Sequence, residues 1–377
     1  MTTSSSTKAR YIMIGGFLGA GKTTAVAKLA QRLTERGLKV GLITNDQGRE
    51  LVDTQMLRAK GFATEEIPGG CFCCRFNSLV DAAAKLTTAT QPDVFIAEPV
   101  GSCTDLVATV TYPLRRIYGD SFLIAPVSVL VDPVRAARVL GLESGGTFSE
   151  KVIYIYKKQI EEADIIVINK VDLLAPSRIE ELRAALAQNF PRAEIVAVSS
   201  REETNLEAWF AKLESGEQTA RAAMEVDYDV YADGEALLGW FNATVQLTAT
   251  TAFDAESVIT RLARSIQEHL KAQHAEVAHL KMTYSPDEAL AGEIAAVNLV
   301  RNDFVPELSL KLQDTSKSGQ LIINLRAENA PDALATTVRE ALAALEVNVP
   351  TLKADLHHLE HFRPGRPTPT HRDGALT

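Results

Sequence analysis

The chain lacks both a long apolar run and an excess of positive charge. No stretch of its 377 residues approaches the roughly 20 apolar residues of a membrane span. The first apolar run, YIMIGGF, is too short for the core of a signal peptide. A formal net charge of -9 disfavours non-specific nucleic-acid binding, because a surface that follows phosphates needs clustered Lys and Arg. We therefore expect a cytoplasmic protein with neither a membrane nor a nucleic acid as partner.

Cysteine is scarce as well, with four residues in the whole chain. Three of them, Cys71, Cys73 and Cys74, fall within four positions of the run GGCFCC. Thiols stay reduced in the cytoplasm, where clustered cysteines bind metal ions more often than they form disulfides. The clustering therefore points to a metal site.

Short β-branched runs alternate with helical patterns from about residue 10 to residue 215. Continuous apolar runs such as KVGLITN, DVFIAEP and DIIVINK, separated by helices, are typical of a buried parallel sheet. The length of the chain exceeds that of one usual domain. We predict an α/β domain over residues 8–215, in which helices flank a mostly parallel sheet.

The pattern changes after a polar stretch that we interpret as a linker over residues 216–235. Five strand patterns and two helical stretches follow, which predicts a smaller α+β domain over residues 236–347. Residues 348–377 are rich in Pro, Arg and His, and we expect much of this tail to be unstructured. If its run DLHHLEHF were helical, His357 and His361 would share a face and could bind a divalent ion; a docking helix is the alternative.

The run GFLGAGKT, Gly16 to Thr23, fits the phosphate-binding pattern G-x-x-x-x-G-K-[ST] between a predicted strand and a predicted helix. Its glycines let backbone N–H groups point at a phosphate, and the helix N-terminus adds a positive dipole end. Lys22 would reach the β and γ phosphates, and the Thr23 hydroxyl would bind Mg²⁺. The alternative is a tight turn with a fortuitous lysine. We expect the nucleotide to contact Gly16, Gly19, Ala20, Gly21, Lys22, Thr23 and Thr24.

A later strand ends in INKVD, Ile168 to Asp172. The Asp172 carboxylate can accept hydrogen bonds from the N1–H and exocyclic amine of guanine, donors that adenine lacks at those places. Leaving it unpaired in a buried site would be costly, so the pattern favours GTP over ATP. Asn169 and Lys170 would pack around the base, with Ser199 and Ser200 as weaker candidates. A plain turn after a strand is the alternative.

An acidic residue should accompany Mg²⁺ at the end of a strand that faces the phosphates. The run DVFIAEPVG places Glu98 there, with Gly101 three residues later. Glu98 can orient the attacking water or hold the outer shell of the metal, and Gly101 can donate its N–H to the γ-phosphate. We expect Lys22, Glu98 and Gly101 to serve hydrolysis. Asp46, in ITNDQG, is a second candidate for Mg²⁺, or else a solvated loop acid.

The three clustered cysteines cannot all pair with one another. A bridge between neighbours this close would be strained and would leave one thiol over, since disulfides prefer Cα separations of roughly 4.4–6.8 Å. Thiolates bind Zn²⁺ well, and three of them leave one tetrahedral position open. We therefore predict that Cys71, Cys73 and Cys74 bind Zn²⁺ or another divalent transition metal. Buried small hydrophobes and a thiol-redox role are the alternatives, and Cys103 is either a core residue or a supporting ligand.

Four motifs occur in a set order: the phosphate loop, GGCFCC, EPVG and NKVD. In this combination the chain resembles the CobW-like GTPases, relatives of the HypB and UreG nickel-insertion proteins. The resemblance covers roughly residues 10–215 and implies a P-loop NTPase-type fold, GTP hydrolysis and delivery of zinc or another transition metal to a client metalloprotein. It also implies a C-terminal domain for client contact and a nucleotide-dependent homodimer. The chain departs from its relatives at NDQG, where they commonly have N-E-F-G, so Asp46 would replace a longer Glu.

Two functional hypotheses follow. The first is a GTP-hydrolysing metallochaperone that binds metal at C-x-C-C and passes it to a client. The second is a GTP-gated protein chaperone that helps load or repair a cofactor enzyme, for instance one using a corrinoid, with any zinc structural. A small-molecule kinase on the same phosphate loop is disfavoured by NKVD. Under the first hypothesis GTP should alter the metal affinity, because linkage is reciprocal.

Overall fold

The computed structural model describes residues 8–45, 52–219, 221–288 and 293–374. Asp46, the second candidate for Mg²⁺, lies outside these residues, so its role stays a prediction. Among the helices of the described ranges, none is long and apolar enough to cross a bilayer.

Strands and helices alternate through the first part of the chain. The strands are β1 (Ala9–Gly16), β2 (Val40–Asn45), β3 (Ala63–Ile67), β4 (Val94–Glu98), β5 (Phe122–Ile124), β6 (Ser128–Val131), β7 (Ile165–Ile168) and β8 (Glu194–Ala197). The helices are α1 (Lys22–Glu35), α2 (Val52–Ala59), α3 (Phe76–Thr90), α4 (Tyr112–Tyr118), α5 (Pro133–Val139), α6 (Glu150–Glu161), α7 (Pro176–Asn189) and α8 (Leu206–Ser215). A π-helical turn, Val107–Thr111, precedes α4.

These strands form one sheet in the order β3-β2-β4-β1-β6-β7-β8, and β5 pairs with the start of β1. Every pairing given for it is parallel. Strands β2, β4 and β7 are buried along their whole length, as expected where helices cover both faces. The predicted α/β fold is confirmed. Because the carboxyl ends of parallel strands share one edge, the loops after β1, β2, β4 and β7 lie together there.

The C-terminal part is built on an antiparallel sheet. Its elements are α9 (Tyr228–Leu237), β9 (Leu238–Phe253), α10 (Ala255–Ala272), β10 (Val277–Pro286), β11 (Ala295–Leu299), β12 (Glu307–Leu310), β13 (Ser316–Glu328), α11 (Pro331–Asn348) and β14 (Leu352–Phe362). The strand order is β12-β11-β10-β13-β9-β14, and each pairing is antiparallel.

Helices α10 and α11 cover this second sheet with their apolar faces. Helix α10 begins where the Asp254 carboxylate accepts hydrogen bonds from the N–H groups of Glu256 and Ser257. Its buried residues Ile259, Leu262, Ile266 and Leu270 recur at helical spacing and join one hydrophobic cluster with residues of α11 and the strands. The predicted α+β architecture is therefore confirmed.

Two expectations about the C-terminal part are wrong. The second half of the expected linker is helix α9, which packs against α6. The run with His357 and His361 is neither helical nor unstructured: it is strand β14, paired with β9. A bulge after Leu356 puts Leu356 and Leu359 opposite Val245 and Ala243, which are two residues apart on β9 and so share one face. The three-residue spacing of these leucines therefore imitates a helix. The exact limits of the domains stay a prediction.

Candidate nucleotide and metal sites

The phosphate loop connects β1 to α1 at the carboxyl edge of the parallel sheet. Gly16, Gly19 and Gly21 have φ angles of 129°, 78° and 94°, which side chains rarely tolerate. A Cβ on Gly21 would lie 2.4 Å from Nδ2 of Asn169. Lys22 is buried, and its Nζ donates to the Gly16 carbonyl at 2.9 Å. The loop is thus held in a shape that only glycine allows at Gly21.

A cavity of about 460 Å³ opens beside this loop. The expected site residues that line it come from three segments, which follow β1, β4 and β7: Gly19, Gly21, Lys22, Thr23, Thr24, Glu98, Gly101, Asn169, Lys170 and Asp172. Gly16 and Ala20 do not line the cavity, and their carbonyls accept hydrogen bonds from Lys22 and Asn169, respectively. The fold therefore brings the phosphate loop and the NKVD segment, some 150 positions apart, to one cavity.

The two serines beside NKVD differ in placement. Ser200 lines the cavity, and both its N–H and its hydroxyl donate to Oδ1 of Asn169 at 3.0 Å. The Ser199 hydroxyl instead accepts a hydrogen bond from the N–H of Glu202, away from the cavity wall. Ser200 is therefore better placed than Ser199 to contact a base.

Glu98 and Gly101 meet the phosphate loop from the end of β4. The Thr23 hydroxyl donates to Oε1 of Glu98 at 2.8 Å. A Cβ on Gly101 would lie 2.9 Å from the backbone nitrogen of Leu18, so this loop touches the phosphate loop directly. The side-chain amide of Gln159, in α6, donates to the Gly101 carbonyl at 2.9 Å and so fixes the loop that follows β4.

The C-terminal sheet closes the far side of the same cavity, which the sequence patterns did not indicate. Its lining residues are Trp240, His279, Lys281, Asn298, Val300 and residues 307–310. Arg201, on the loop after β8, makes a paired contact with the Glu307 carboxylate at 2.8 and 2.7 Å. The alternation of apolar and polar residues in β10 and β11 indicates which side chains share a face of the sheet. It does not indicate that this face lines the cavity.

The cysteine cluster lies between β3 and α3. Its sulfur atoms are close together: Cys71 lies 2.8 Å from Cys73 and 3.4 Å from Cys74, and Cys73 lies 3.6 Å from Cys74. Gly69 and Gly70, with φ angles of 73° and 145°, turn the chain just before them. A tetrahedral Zn²⁺ with Zn–S bonds of about 2.3 Å separates its sulfurs by about 3.8 Å. The three thiols therefore fit such an ion after small outward shifts, the largest between Cys71 and Cys73.

The similarity to known proteins lies in the first half of the chain. Residues 10–197 match the CobW/HypB/UreG nucleotide-binding domain. This part of the chain belongs to the CobW/HypB/UreG family. The expected membership among CobW-like GTPases is thus confirmed for the domain that carries both candidate sites.

Curated relatives of the CobW/HypB/UreG domain include two zinc chaperones. The chain is 32% identical over 184 residues to the zinc chaperone YeiR of Escherichia coli, covering 48% of this chain and 52% of that protein. It is 29% identical over 232 residues to the zinc chaperone CobW of a Sinorhizobium species, covering 55% and 62%. The chain thus spans little more than half the length of these relatives. A solved structure of HypB from Helicobacter pylori in complex with nickel is 20% identical, covers 57% of this chain and 91% of that one, and has a TM-score of 0.42.

An ion network joins the CobW/HypB/UreG domain to the C-terminal sheet. Oδ2 of Asp132 accepts from Nζ of Lys170 at 2.9 Å, and its Oδ1 accepts from Nη1 of Arg301 at 2.9 Å. Lys170 also donates to the Gly19 carbonyl at 2.6 Å. Burial by itself raises the pKa of the Asp132 carboxyl, but Lys170, Arg301 and Arg135 together hold it well below its usual range. The network therefore runs from the phosphate loop to the residues after β11.

The Asn45 side chain links the nucleotide cavity to the cysteine loop. Asn45, at the end of β2, lines the cavity. Its amide nitrogen donates to the Ile67 carbonyl at 2.8 Å and to the Gly70 carbonyl at 2.6 Å, immediately before Cys71. A movement of β2 would therefore be transmitted to the backbone that positions the cluster.

The pKa of the Cys71 thiol shifts in the opposite direction from those of the other three cysteines. Hydrogen bonds from the thiols of Cys103, Cys73 and Cys74 lower the pKa of Cys71 well below its usual range. The hydrogen bond to Cys71 raises the pKa of Cys73, and burial raises the pKa of Cys103. Burial also raises the pKa of Glu235, whose carboxylate lies near Cys71. Cys71 is therefore the one of the four thiols whose pKa is lowered.

Residues 363–374, which we call the C-terminal strap, cross the outside of the cluster. The N–H of Thr368 donates to Sγ of Cys74 at 3.2 Å. The N–H of Thr370 donates to the Cys73 carbonyl at 2.9 Å, and its hydroxyl donates to the Cys74 carbonyl at 3.2 Å. The expectation of a largely unstructured tail is thus wrong here too, because the cysteine loop supplies the hydrogen-bond partners of the strap.

Side chains at the end of the strap anchor it to the nucleotide-binding domain. The His371 ring meets the Phe76 ring edge-on, with centroids 4.9 Å apart. Nε of Arg372 donates to Oδ2 of the buried Asp105 at 2.7 Å. Charge in the tail was visible in the sequence, but the acid it pairs with is 267 positions away.

Proposed function

We propose that the protein is a GTP-hydrolysing metallochaperone that binds a transition metal, with zinc as the first choice, and delivers it to a client metalloprotein. The observation that carries this proposal is the hydrogen-bonded connection between the two candidate sites. Strand β4 ends at Glu98 in the nucleotide cavity, and Asn45 connects the same cavity to the cysteine loop. The similarity to zinc chaperones supports it.

In the proposed GTPase, the phosphate loop and Lys22 hold the phosphates by backbone N–H groups and charge. The Thr23 hydroxyl would hold Mg²⁺, which neutralises charge on the phosphates when bound. Glu98, which accepts a hydrogen bond from the Thr23 hydroxyl at 2.8 Å, would orient the attacking water. The N–H of Gly101 would stabilise charge that develops on the γ-phosphate.

At the base end, Asp172 would accept the two guanine donors. Asn169 and Lys170 are already bonded to the carbonyls of Ala20 and Gly19, so they position the phosphate loop as well as the base. Ser200 would replace Ser199 as the serine nearest the base. Asp172→Asn should lower the affinity for GTP far more than that for ATP, because the lost carboxylate pairs only with guanine.

The metal would be held by Cys71, Cys73 and Cys74, whose sulfur donors suit Zn²⁺ and whose spacing is close to that of a tetrahedral site. Metal binding would release thiol protons, because thiolates are the ligands. The proposal implies a client metalloprotein or cofactor enzyme as partner and allows a homodimer that forms with nucleotide.

A competition titration with Zn²⁺ tests the proposal. Zinc affinity is measured with GDP, with a non-hydrolysable GTP analogue and without nucleotide, on the wild type and on Cys73→Ser. We expect the GTP analogue to change the affinity by about 5-fold or more, as for a coupling of about 1 kcal/mol. Equal zinc affinity in all nucleotide states would refute the transfer mechanism. Unchanged zinc affinity in Cys73→Ser would refute the proposed metal site.

A second candidate is a GTP-gated protein chaperone with structural zinc. The observation that favours it is the C-terminal strap, which covers Cys74 and Cys73 with hydrogen bonds and would retain a bound ion. The same titration separates the two functions. Tight zinc binding that no nucleotide alters, combined with GTP hydrolysis stimulated by a client, would support this candidate.

A further inference from the structure

The cysteine cluster has one thiol neighbour that lies outside its motif. Cys103 is 1% exposed and sits in the same hydrophobic cluster as Cys71 and Cys73. Its thiol lies beside that of Cys71, while the sulfurs of Cys71, Cys73 and Cys74 are the ones that all lie within 4.8 Å of one another. The loop that carries it is held firmly, since the Cys103 N–H donates to the Val100 carbonyl and the Cys103 carbonyl accepts from Gln159 at 2.8 Å.

Cys71 and Cys73 are buried and Cys74 is half-buried, so a further ligand would lie on the buried side of the cluster. The C-terminal strap occupies the outer side, where Thr368 donates its N–H to Cys74. A tetrahedral ion on three thiolates needs one more donor, and Cys103 approaches Cys71 from within the domain. Among the residues that the structure describes, Glu235 is a second buried donor near Cys71, and its Oε1 accepts a hydrogen bond from the Ser102 hydroxyl at 2.7 Å.

We propose that Cys103 supplies a fourth thiolate to the metal bound by Cys71, Cys73 and Cys74. This inference rests on the proposed metal function and gives the site its full set of ligands. It also places one ligand five residues after Glu98 on the same loop. A bound ion would therefore be attached to both the cysteine loop and the segment that contacts the phosphate loop.

The ligand set is tested with Co²⁺, whose thiolate charge-transfer absorption grows with each sulfur bound. Titrations are done on the full chain as wild type, Cys103→Ser, Cys103→Ala, Cys73→Ser and Glu235→Gln. We expect both Cys103 variants to bind one Co²⁺ with charge-transfer absorption reduced by the share of one sulfur in four. Their Zn²⁺ affinity, measured by chelator competition, should fall at least about tenfold.

The controls separate a ligand from a packing residue. Val107→Ala perturbs the same buried segment without removing sulfur, and should leave the cobalt spectrum unchanged. Circular dichroism and GTP binding show whether each variant is folded. Cys103→Ala and Cys103→Ser should agree in the spectrum, since both remove the thiolate.

The cobalt and zinc titrations distinguish failure of the fourth ligand from failure of the metal site itself. Charge-transfer intensity and zinc affinity within twofold of wild type in both Cys103 variants would overturn the fourth-ligand proposal while leaving the metal site intact. If Glu235→Gln lowered the zinc affinity and Cys103→Ser left it unchanged, the fourth ligand would be Glu235. That result would also overturn the fourth-ligand proposal for Cys103. Absence of stoichiometric binding in the wild type, or full binding in Cys73→Ser, would instead refute the proposed function itself.

Discussion

Replacing Asp132 by Asn tests the link between the nucleotide-binding domain and the C-terminal sheet. Asp132 is 2% exposed, and its two oxygens accept from Lys170 and Arg301 at 2.9 Å. It also caps helix α5 by accepting the N–H of Arg135 at 3.0 Å. Asn keeps this cap and the shape of the side chain, so the substitution removes mainly the charge.

The expected size of the effect comes from the burial of the network. Removing one partner of a buried ion pair costs about 3–5 kcal/mol, because it leaves the other charge uncompensated. Arg301 retains a contact with Asp303 at 3.3 Å, and Lys170 retains the Gly19 carbonyl at 2.6 Å. We therefore expect the free energy of unfolding to fall by about 3 kcal/mol, the low end of this range. For a domain of this size that corresponds to a fall of about 6–12 °C in the melting temperature.

Thermal and urea unfolding of Asp132→Asn and wild type measure this loss, with Lys151→Gln as the control. Lys151 and its partner Asp233 are 52% and 61% exposed, so that ion pair should contribute less than about 1 kcal/mol. A fluorescent GDP titration should also show weaker binding in Asp132→Asn, since Lys170 then loses an anchor beside the phosphate loop. Equal small losses in both variants would refute the reasoning.

The pH dependence follows from the same network. The pKa of Asp132 is lower in the folded chain than the usual value of about 3.9, so its stabilisation is complete above that value and is lost as pH falls further. Asp132→Asn should therefore lose less stability than wild type between about pH 4 and pH 2. Parallel acid-unfolding curves, offset but identical in shape, would contradict this.

Three further predictions concern other parts of the chain. Burial raises the pKa of Glu162 from its usual value of about 4.5 to about 8. Between these two pH values the folded state holds a proton that the unfolded state releases, so stability falls as the pH rises from one to the other. Glu162→Gln should therefore gain stability relative to wild type at pH 8 compared with pH 5.5; an equal difference at both pH values contradicts it. Removing residues 363–377 should speed labelling of the cysteine cluster by a bulky thiol reagent several-fold, and an unchanged rate would mean that the C-terminal strap does not shield it. Gly21→Ala should weaken nucleotide binding at least tenfold because its Cβ meets Asn169 at 2.4 Å; Gly37→Ala, at a similar φ but with no neighbour within 4 Å, should not.

Much of the fold was predictable because local patterns determine it. Unbroken apolar runs separated by helices require a parallel sheet covered on both faces, and this sheet is present. The phosphate loop and NKVD each follow a strand of that sheet, so parallel pairing alone brings Gly21 and Asn169 together at one edge. The spacing of the cysteines likewise limits how far apart Cys71, Cys73 and Cys74 can lie.

The errors arose where a pattern was compatible with two structures. Leu356 and Leu359 are three residues apart, which suits a helix face, and only pairing with β9 shows the bulge that puts them on one face of a strand. The tail beyond residue 362 has no apolar pattern of its own. Its order depends on hydrogen bonds to Cys73 and Cys74, and no local rule specifies partners so distant in sequence.

The sequence by itself determined the two chemistries of this protein, a phosphate loop and a cluster of thiols, because each depends on residues within a few positions of one another. Only the tertiary structure decided how they are joined. Asn45 reaches the cysteine loop, Cys103 reaches Cys71, and Asp132 reaches Arg301 across long separations in the chain. Such contacts arise when buried polar groups must find partners within a packed fold, and local sequence carries no record of that requirement.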